Sequence, residues 1–219
     1  MALFDSFAPD YDSFFATKLG KAILLAEASA TMKAIRPQKD LECLDAGCGT
    51  GIFTSLLAKS GMRVTGIDES TRMLDTASKK PELASTRLVN GKLTALPFEN
   101  MSFDRVFCSF ALEFVDDQEQ AAKEIWRVLR PNGIAVVAVL NPDSPWAKTR
   151  EGVEVYKTAK YLTFSKLKDL LPGLASISTC VHFLPADSCC FGTKETWGNT
   201  RGSRKGAAIV ASFRKAVQK

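Results

Sequence analysis

Leu44-Asp45-Ala46-Gly47-Cys48-Gly49-Thr50-Gly51 closes a short apolar run that begins at Leu41 and stands before Ile52-Phe53-Thr54-Ser55-Leu56-Leu57-Ala58-Lys59. The run reads as a strand and the stretch behind it as a helix ended by Gly61, so the glycines occupy a strand-to-helix turn. Glycine there lets the backbone bend sharply and approach a ligand closely. The following helix adds free N–H groups and the positive end of its dipole. A nicotinamide site would carry a glycine-rich loop at the same place. Two details distinguish this one. Its spacing is GxGxG (Gly47, Gly49, Gly51) rather than GxGxxG, and Asp45 stands immediately before it. A carboxylate is awkward beside a pyrophosphate and suits a cation such as the ammonium of an amino acid. The next strand, Met62 to Asp68, ends in a second acid, and a carboxylate at that point can accept both hydroxyls of a ribose.

Outward from this loop, apolar strands and amphipathic helices alternate at short spacing. Residues 12–35 read as one Ala-, Leu- and Lys-rich helix ended by Arg36-Pro37. Ser70 is the expected cap of a helix reaching about Lys80, with Pro81 beyond it. TRLVNG (86–91) is a third strand, FDRVFCSFAL (103–112) a fourth, and IAVVAVLN (134–141) a fifth. Asp116 or Asp117 caps a helix to Leu129, and RPNG (130–133) is a turn. Behind the fifth strand come a loop (141–152), a short helix from Phe164 capped by Thr163 or Ser165, a strand ISTCVHFL (177–184), a polar loop (185–206) and a last strand (207–215). This pattern predicts an α/β fold: a doubly wound, mostly parallel, seven-stranded Rossmann-like sheet with helices on both faces and an N-terminal helical segment.

Bulk properties narrow the function classes. The 219 residues are 46% hydrophobic and 24% charged, as in an ordinary globular domain, and suffice for a full core. The formal charge of +5 owes much to Lys194, Arg201, Arg204, Lys205, Arg214, Lys215 and Lys219. This cluster reads as a solvated face, with an anionic acceptor or RNA phosphates as the sharper alternative. None of the six cysteines has CxxC or Cys/His metal spacing, so no metal site or disulfide framework is expected, and a reducing cytoplasm is. The acidic N-terminal stretch is unlike a signal peptide, and the longest apolar run, Ile134 to Leu140, is too short for a bilayer, so no membrane insertion is expected.

Four blocks in register carry a resemblance to a known family. LDAGCGTG (44–51), VTGIDES (64–70) with Met73 and Leu74, LPFENMSFDRVFCSFALEFV (96–115) and EIWRVLRPNGIAVVAV (124–139) resemble the class I S-adenosylmethionine-dependent methyltransferases. The branch is the one that includes the ubiquinone/menaquinone methylases, methyltransferase type 11. The resemblance implies S-adenosylmethionine as cofactor and S-adenosylhomocysteine as product. It also implies one methyltransferase domain over 1–219, with a helical lid (1–38), a cofactor-binding core (39–141) and an acceptor side (142–219). By resemblance, Gly47, Gly49 and Gly51, with Cys48 among them, pack against the methionine part and the ribose. Asp45 lies near the amino group, Asp68 holds the ribose hydroxyls, and Glu69 and Met73 flank the adenine. Ser109 and Ala111 line the sulfonium side, and Phe114 closes over it. Tyr11 and Phe15, from an aromatic N-terminal segment, and Trp146 are assigned to the acceptor.

Two positions depart from the family pattern. Lys92 stands where an Asp commonly touches the adenine amino group, and Lys is a donor only. Either backbone groups of Lys92 and Leu93 read the adenine instead, or affinity is lowered. Phe114 replaces a common His, which removes any acid–base role there. His182, the single histidine, reads as a structural strand residue, Cys48 as a small filler, and Cys189-Cys190 as ordinary loop cysteines. No catalytic base is identified. The leading function is methyl transfer to a small-molecule acceptor. An RNA or protein methyltransferase, a non-catalytic S-adenosylmethionine or nucleotide-binding domain, and a nicotinamide oxidoreductase remain as alternatives, with nucleic acid not favoured and the oligomeric state open.

Overall fold

Strands that are apolar on both faces need cover on both, and the helices of this chain supply it. The structure, a computed structural model, describes residues 2–183 and 204–217. The strands are β1 (Glu42–Ala46), β2 (Arg63–Asp68), β3 (Arg87–Asn90), β4 (Phe103–Ser109), β5 (Leu129–Leu140), β6 (Leu174–Cys180) and β7 (Ala208–Arg214). The helices are α1 (Tyr11–Ala16), α2 (Lys18–Ile35), α3 (Ile52–Lys59), α4 (Thr71–Ser78), α5 (Gln118–Val128), α6 (Ala147–Arg150), α7 (Glu154–Lys157) and α8 (Phe164–Leu170). All seven strands form one sheet in the order β3-β2-β1-β4-β5-β7-β6. The first five run parallel, and β7 is antiparallel to both its neighbours. Strand order reverses between β1 and β4, which opens a crevice beyond their carboxyl ends.

Side chains alternate between two cores. On one face Leu44, Val106, Cys108, Val137 and Phe213 pack under Ala121 and Ile125 of α5 and Leu167 of α8. On the other, Cys43, Phe107, Val136 and Val210 pack under Ile23 and Ala26 of α2 and Leu57 of α3. The predicted caps are formed: Ser70 Oγ accepts from Met73 N–H at 3.1 Å, Asp117 from Gln120 N–H at 2.9 Å, and Thr163 Oγ1 from Lys166 N–H at 3.4 Å.

Four local expectations are corrected. The helix expected over 12–35 is two helices, broken at Thr17. Its hydroxyl accepts from Gly20 N–H at 3.0 Å and donates to Phe14 O at 2.7 Å, competing with the continuous helix. The turn is so tight that a Cβ on Gly20 would stand 2.0 Å from Phe14 O. RPNG lies within β5: Asn132, at φ 63°, donates its N–H to Lys215 O at 2.8 Å, so the backbone bends without leaving the sheet. The loop expected over 141–152 holds α6, and α7 follows at once. Strand β6 ends at Cys180, with Val181 at φ 57°, so His182 lies just outside it. Cys189, Cys190, Lys194, Arg201 and Lys219 lie outside the described residues.

Gly51 caps α3 at φ 81°, where an added Cβ would come within 2.5 Å of Leu83 Cδ1. Left-handed strain and overpacking then act together. Gly51→Ala is expected to lower the urea unfolding free energy by about 2 kcal/mol, with the slope against urea unchanged.

Candidate functional site

The glycine loop is hooked over the end of β2. Gly47 and Cys48 N–H both donate to Ile67 O, at 2.8 and 3.0 Å. Gly47, at φ 80°, leaves no room for a Cβ, which would meet Ala111 Cβ at 2.4 Å. Gly49 N–H donates to Asp68 Oδ2 at 2.8 Å, and Ser70 N–H to Asp68 Oδ1 at 2.9 Å. One carboxylate thus joins the loops after β1 and β2. A Cβ on Gly49 would meet nothing within 4 Å, because this glycine borders a cavity.

That cavity, of about 240 Å³, is lined by Asp45, Gly47, Cys48, Gly49, Asp68, Glu69, Met73, Lys92, Leu93, Ser109, Ala111 and Phe114. The positions expected to hold a cofactor are therefore together, with Gly51 the exception: it faces Leu83 and Ala77 behind the loop. Asp45 is buried and accepts from Thr54 Oγ1 at 2.6 Å. Burial pushes its carboxyl up to about 7, against the lowering effect of the Thr54 hydrogen bond and with help from the charge of Asp68. Burial also raises Asp68, opposed by its two backbone hydrogen bonds. Ser109 Oγ, in the wall, is buried without a hydrogen-bond partner. Burial raises the Cys48 thiol well above its ordinary value, and its sulfur fills the space beside Gly66.

A second cavity, of about 530 Å³, adjoins the first. Phe4, Tyr11, Phe15, Glu27, Phe110 and Phe114 face both. Trp146, Arg150 and Tyr156 are also in its wall, which Tyr11, Phe15 and Trp146 therefore share. The Trp146 indole N–H also donates to Phe183 O at 2.6 Å. The N-terminal segment roofs both spaces. Phe4 meets Phe114 edge to face with ring centres 4.8 Å apart. Three polar ties pin this roof to the core: Ser70 Oγ donates to Asp5 Oδ1 and Thr50 Oγ1 to Asp12 Oδ1, each at 2.6 Å, and Lys80 Nζ pairs with Asp12 Oδ2 at 2.6 Å.

Other candidates fall away from these cavities. His182 Nε2 sits 3.1 Å from Thr179 O and lines neither space. Among the described basic residues, Arg204 stacks on Phe164 at 5.2 Å, and Lys215 Nζ donates to the carbonyls of Trp126 and Leu129 at 2.6 and 2.7 Å. Among the described residues no His/Cys/Asp/Glu cluster is suited to a metal, and no helix is long and apolar enough to cross a membrane.

One functional candidate escaped the sequence. Glu27 lies midway along α2, 8% exposed, in the wall common to both cavities. The signal was present: Gly20, Ile23, Glu27, Thr31 and Ile35 recur at helical spacing on the buried face. A carboxylate on that face is anomalous. Burial pushes it up to about 8, with Arg150 opposing.

Residues 44–137 match the family model described as "Methyltransferase domain". A demethylmenaquinone methyltransferase of Staphylococcus aureus (strain MRSA252) is 42% identical over 109 residues, 48% of this chain and 45% of that protein. The enzyme of the same name from Listeria welshimeri is 32% identical over 150 residues, 65% of this chain and 63% of that protein. The chain therefore spans about half to three-fifths of the length of these curated relatives. The crystal structure of a Thermotoga maritima S-adenosylmethionine-dependent methyltransferase, described as a possible histamine N-methyltransferase, superposes with a TM-score of 0.76. It is 24% identical and covers 97% of this chain and 98% of that one. The fold is thus the Rossmann-like class I methyltransferase fold, as the four sequence blocks implied.

Because Glu27 titrates higher folded than unfolded, its contribution to stability is complete below about pH 4.5 and is lost as pH rises to about 8. Glu27→Gln is expected to remove that loss. Between pH 6 and pH 9 the variant should retain about 3 kcal/mol of unfolding free energy that the parent gives up, read from urea denaturation at the two pH values.

Proposed function

We propose that this chain, which has the class I methyltransferase fold, uses S-adenosylmethionine to methylate a small, ring-bearing acceptor held in the second cavity. The observation that carries this reading is the juxtaposition of the two cavities across one wall: a polar one beyond β1, β2 and β4, and a larger aromatic one under the N-terminal roof. The polar cavity fits the cofactor. Asp68 keeps a further lone pair on each oxygen for the ribose hydroxyls. Asp45 faces the position of the ammonium, directly or through water. Gly47, Cys48 and Gly49 bring backbone against the methionine part and the ribose, with Gly51 holding the loop from behind. Glu69 and Met73 flank the adenine. The Lys92 carbonyl already accepts from Ala95 N–H at 3.2 Å, whereas the Leu93 N–H has no partner among the described residues and is left to read the ring in place of a side-chain carboxylate. Ser109 offers its unpartnered hydroxyl near the sulfonium side, beside Ala111, and Phe114 closes over it.

S-adenosylmethionine brings a methyl group already activated on sulfonium sulfur, leaving S-adenosylhomocysteine. The chain has then to align an acceptor and exclude water. Phe4, Phe15, Phe110 and Phe114, at the boundary of the cavities, do both: their rings set the acceptor's plane and leave water no hydrogen-bonding partner. In this reading residues 1–38 are the lid, 39–141 the cofactor-binding core and 142–219 the acceptor side. The structural engagement of Arg204 and Lys215 supports a small-molecule acceptor over RNA. The four described cysteines, Cys43, Cys48, Cys108 and Cys180, are free thiols, in keeping with a reducing cytoplasm.

Calorimetric titration is expected to show binding of S-adenosylmethionine and S-adenosylhomocysteine and none of NADH, with Asp68→Ala weakening both by at least about tenfold. NADH binding alone, or no binding of any of the three, would reject the assignment. Affinity for S-adenosylmethionine should also fall as pH drops below about 7, because Asp45 must ionise to face the ammonium. Asp45→Asn should flatten that slope, and a slope unchanged in the variant would remove Asp45 from this role.

A further inference from the structure

A buried acid and a buried guanidinium face the second cavity without meeting. Glu27 enters from α2, and its carboxylate makes no hydrogen bond or ion pair among the described residues. Arg150, 9% exposed, enters from α6 and donates to Asn141 O at 3.2 Å and Ala207 O at 3.0 Å. These contacts leave other guanidinium N–H groups unspent. The two are not in ion-pair contact, yet each feels the other's field. A buried acid without a hydrogen bond and a buried guanidinium without a counter-ion are both costly to a fold, so the pair, facing one aromatic cavity, calls for an occupant that uses both.

Resting on the function proposed above, we propose that Glu27 is the proton acceptor for the methyl acceptor, and that this acceptor carries a phenol- or enol-type hydroxyl whose oxyanion Arg150 stabilises. The acceptor's O–H bond breaks with its electron pair left on oxygen, the proton bonds to a Glu27 carboxylate oxygen, and one negative charge passes from Glu27 to the acceptor. The oxygen then bonds to the methyl carbon of the sulfonium donor as the carbon–sulfur pair stays on sulfur. Glu27 afterwards loses its proton to water. Arg150 discriminates between acceptor classes. A protonated amine would be repelled by the guanidinium, whereas an oxyanion is drawn to it.

The environment of Glu27 suits the role. Tyr11 from α1, Arg150 from α6, Tyr156 from α7 and Cys180 from β6 are the ionisable groups coupled to it. Arg150 is the only cation among them and opposes the effect of burial. A carboxylate held to about 8 is a far better match for a phenol's proton than one near 4.5. It also sets the direction of the pH dependence: the ionised fraction, and with it proton transfer, increases as pH rises through about 8.

The test uses the full chain loaded with S-adenosylhomocysteine and the probe 4-methylphenol near pH 9, above the value for Glu27 and below about 10, the ordinary pKa of a phenol. Ultraviolet difference absorbance reads phenolate on the protein, and calorimetry in two buffers of different ionisation enthalpy reads binding and the protons released to solution. The expected result is bound phenolate with little proton release on the parent protein, because Glu27 keeps the proton, and release of about one proton per phenolate formed on Glu27→Gln, with Glu27→Asp in between. Equal proton release per phenolate on the parent and on Glu27→Gln would overturn the role of Glu27 while leaving the acceptor cavity standing. Failure of the probe to bind the parent, with S-adenosylhomocysteine bound, would overturn the acceptor class. Failure of S-adenosylhomocysteine itself to bind would instead bring down the underlying function, and this proposal with it.

Discussion

The Asp68 carboxylate is the joint on which the site is built. Its two oxygens accept from Gly49 and Ser70 N–H, 2.8 and 2.9 Å away. The loop after β1 and the turn into α4 therefore hold one fixed relation. Charge-assisted bonds of this kind are stronger than neutral ones, and here they are partly shielded from water, as the raised pKa of Asp68 reflects. The arrangement has a cost, since a second acid, Asp45, lies near enough for the two charges to disfavour each other. A fold selected for stability alone would not place two carboxylates around one cavity. The observation is intelligible when the cavity is meant for a ligand with hydroxyls at one end and a cation at the other.

The sheet and the polar cavity were legible in the sequence because both depend on local signals. Strand-to-helix turns announce themselves by glycine, and an acid at a strand's end can be seen without knowing what lies across from it. The caps at Ser70, Asp117 and Thr163 are read from a few residues. The misreadings have a common cause in tertiary contacts. Thr17 breaks a helix that Ala, Leu and Lys favour, through a hydroxyl satisfied by Phe14 and Gly20. RPNG carries turn chemistry, yet its backbone is held in the sheet by Lys215. Gly51 reads as a third ligand-facing glycine and instead makes room for Leu83, thirty-odd residues away in sequence.

The larger cavity was less legible. It is assembled from α1, α2, α6, α7 and the turn after β4, segments distant in sequence with no shared motif. Aromatic residues in such segments are individually ambiguous, and only convergence gives Tyr11, Phe15 and Trp146 a common wall. Glu27 is different, since its helical register alone sets it among buried positions. A charge on the inward stripe of an amphipathic helix is a signal that sequence reading should weigh as heavily as a motif.

The roof over the two cavities is fastened beside the smaller one, at Thr50, Ser70 and Lys80, while its aromatic underside, Phe4, Tyr11 and Phe15, faces both. Whatever settles into either space touches the same cover. A ligand in one space that tightens the cover tightens it over the other as well. Such coupling is reciprocal by thermodynamic necessity. On the reading proposed above, the two occupants would therefore favour each other's residence through that cover as well as through their own contact, and loss of one would loosen the other.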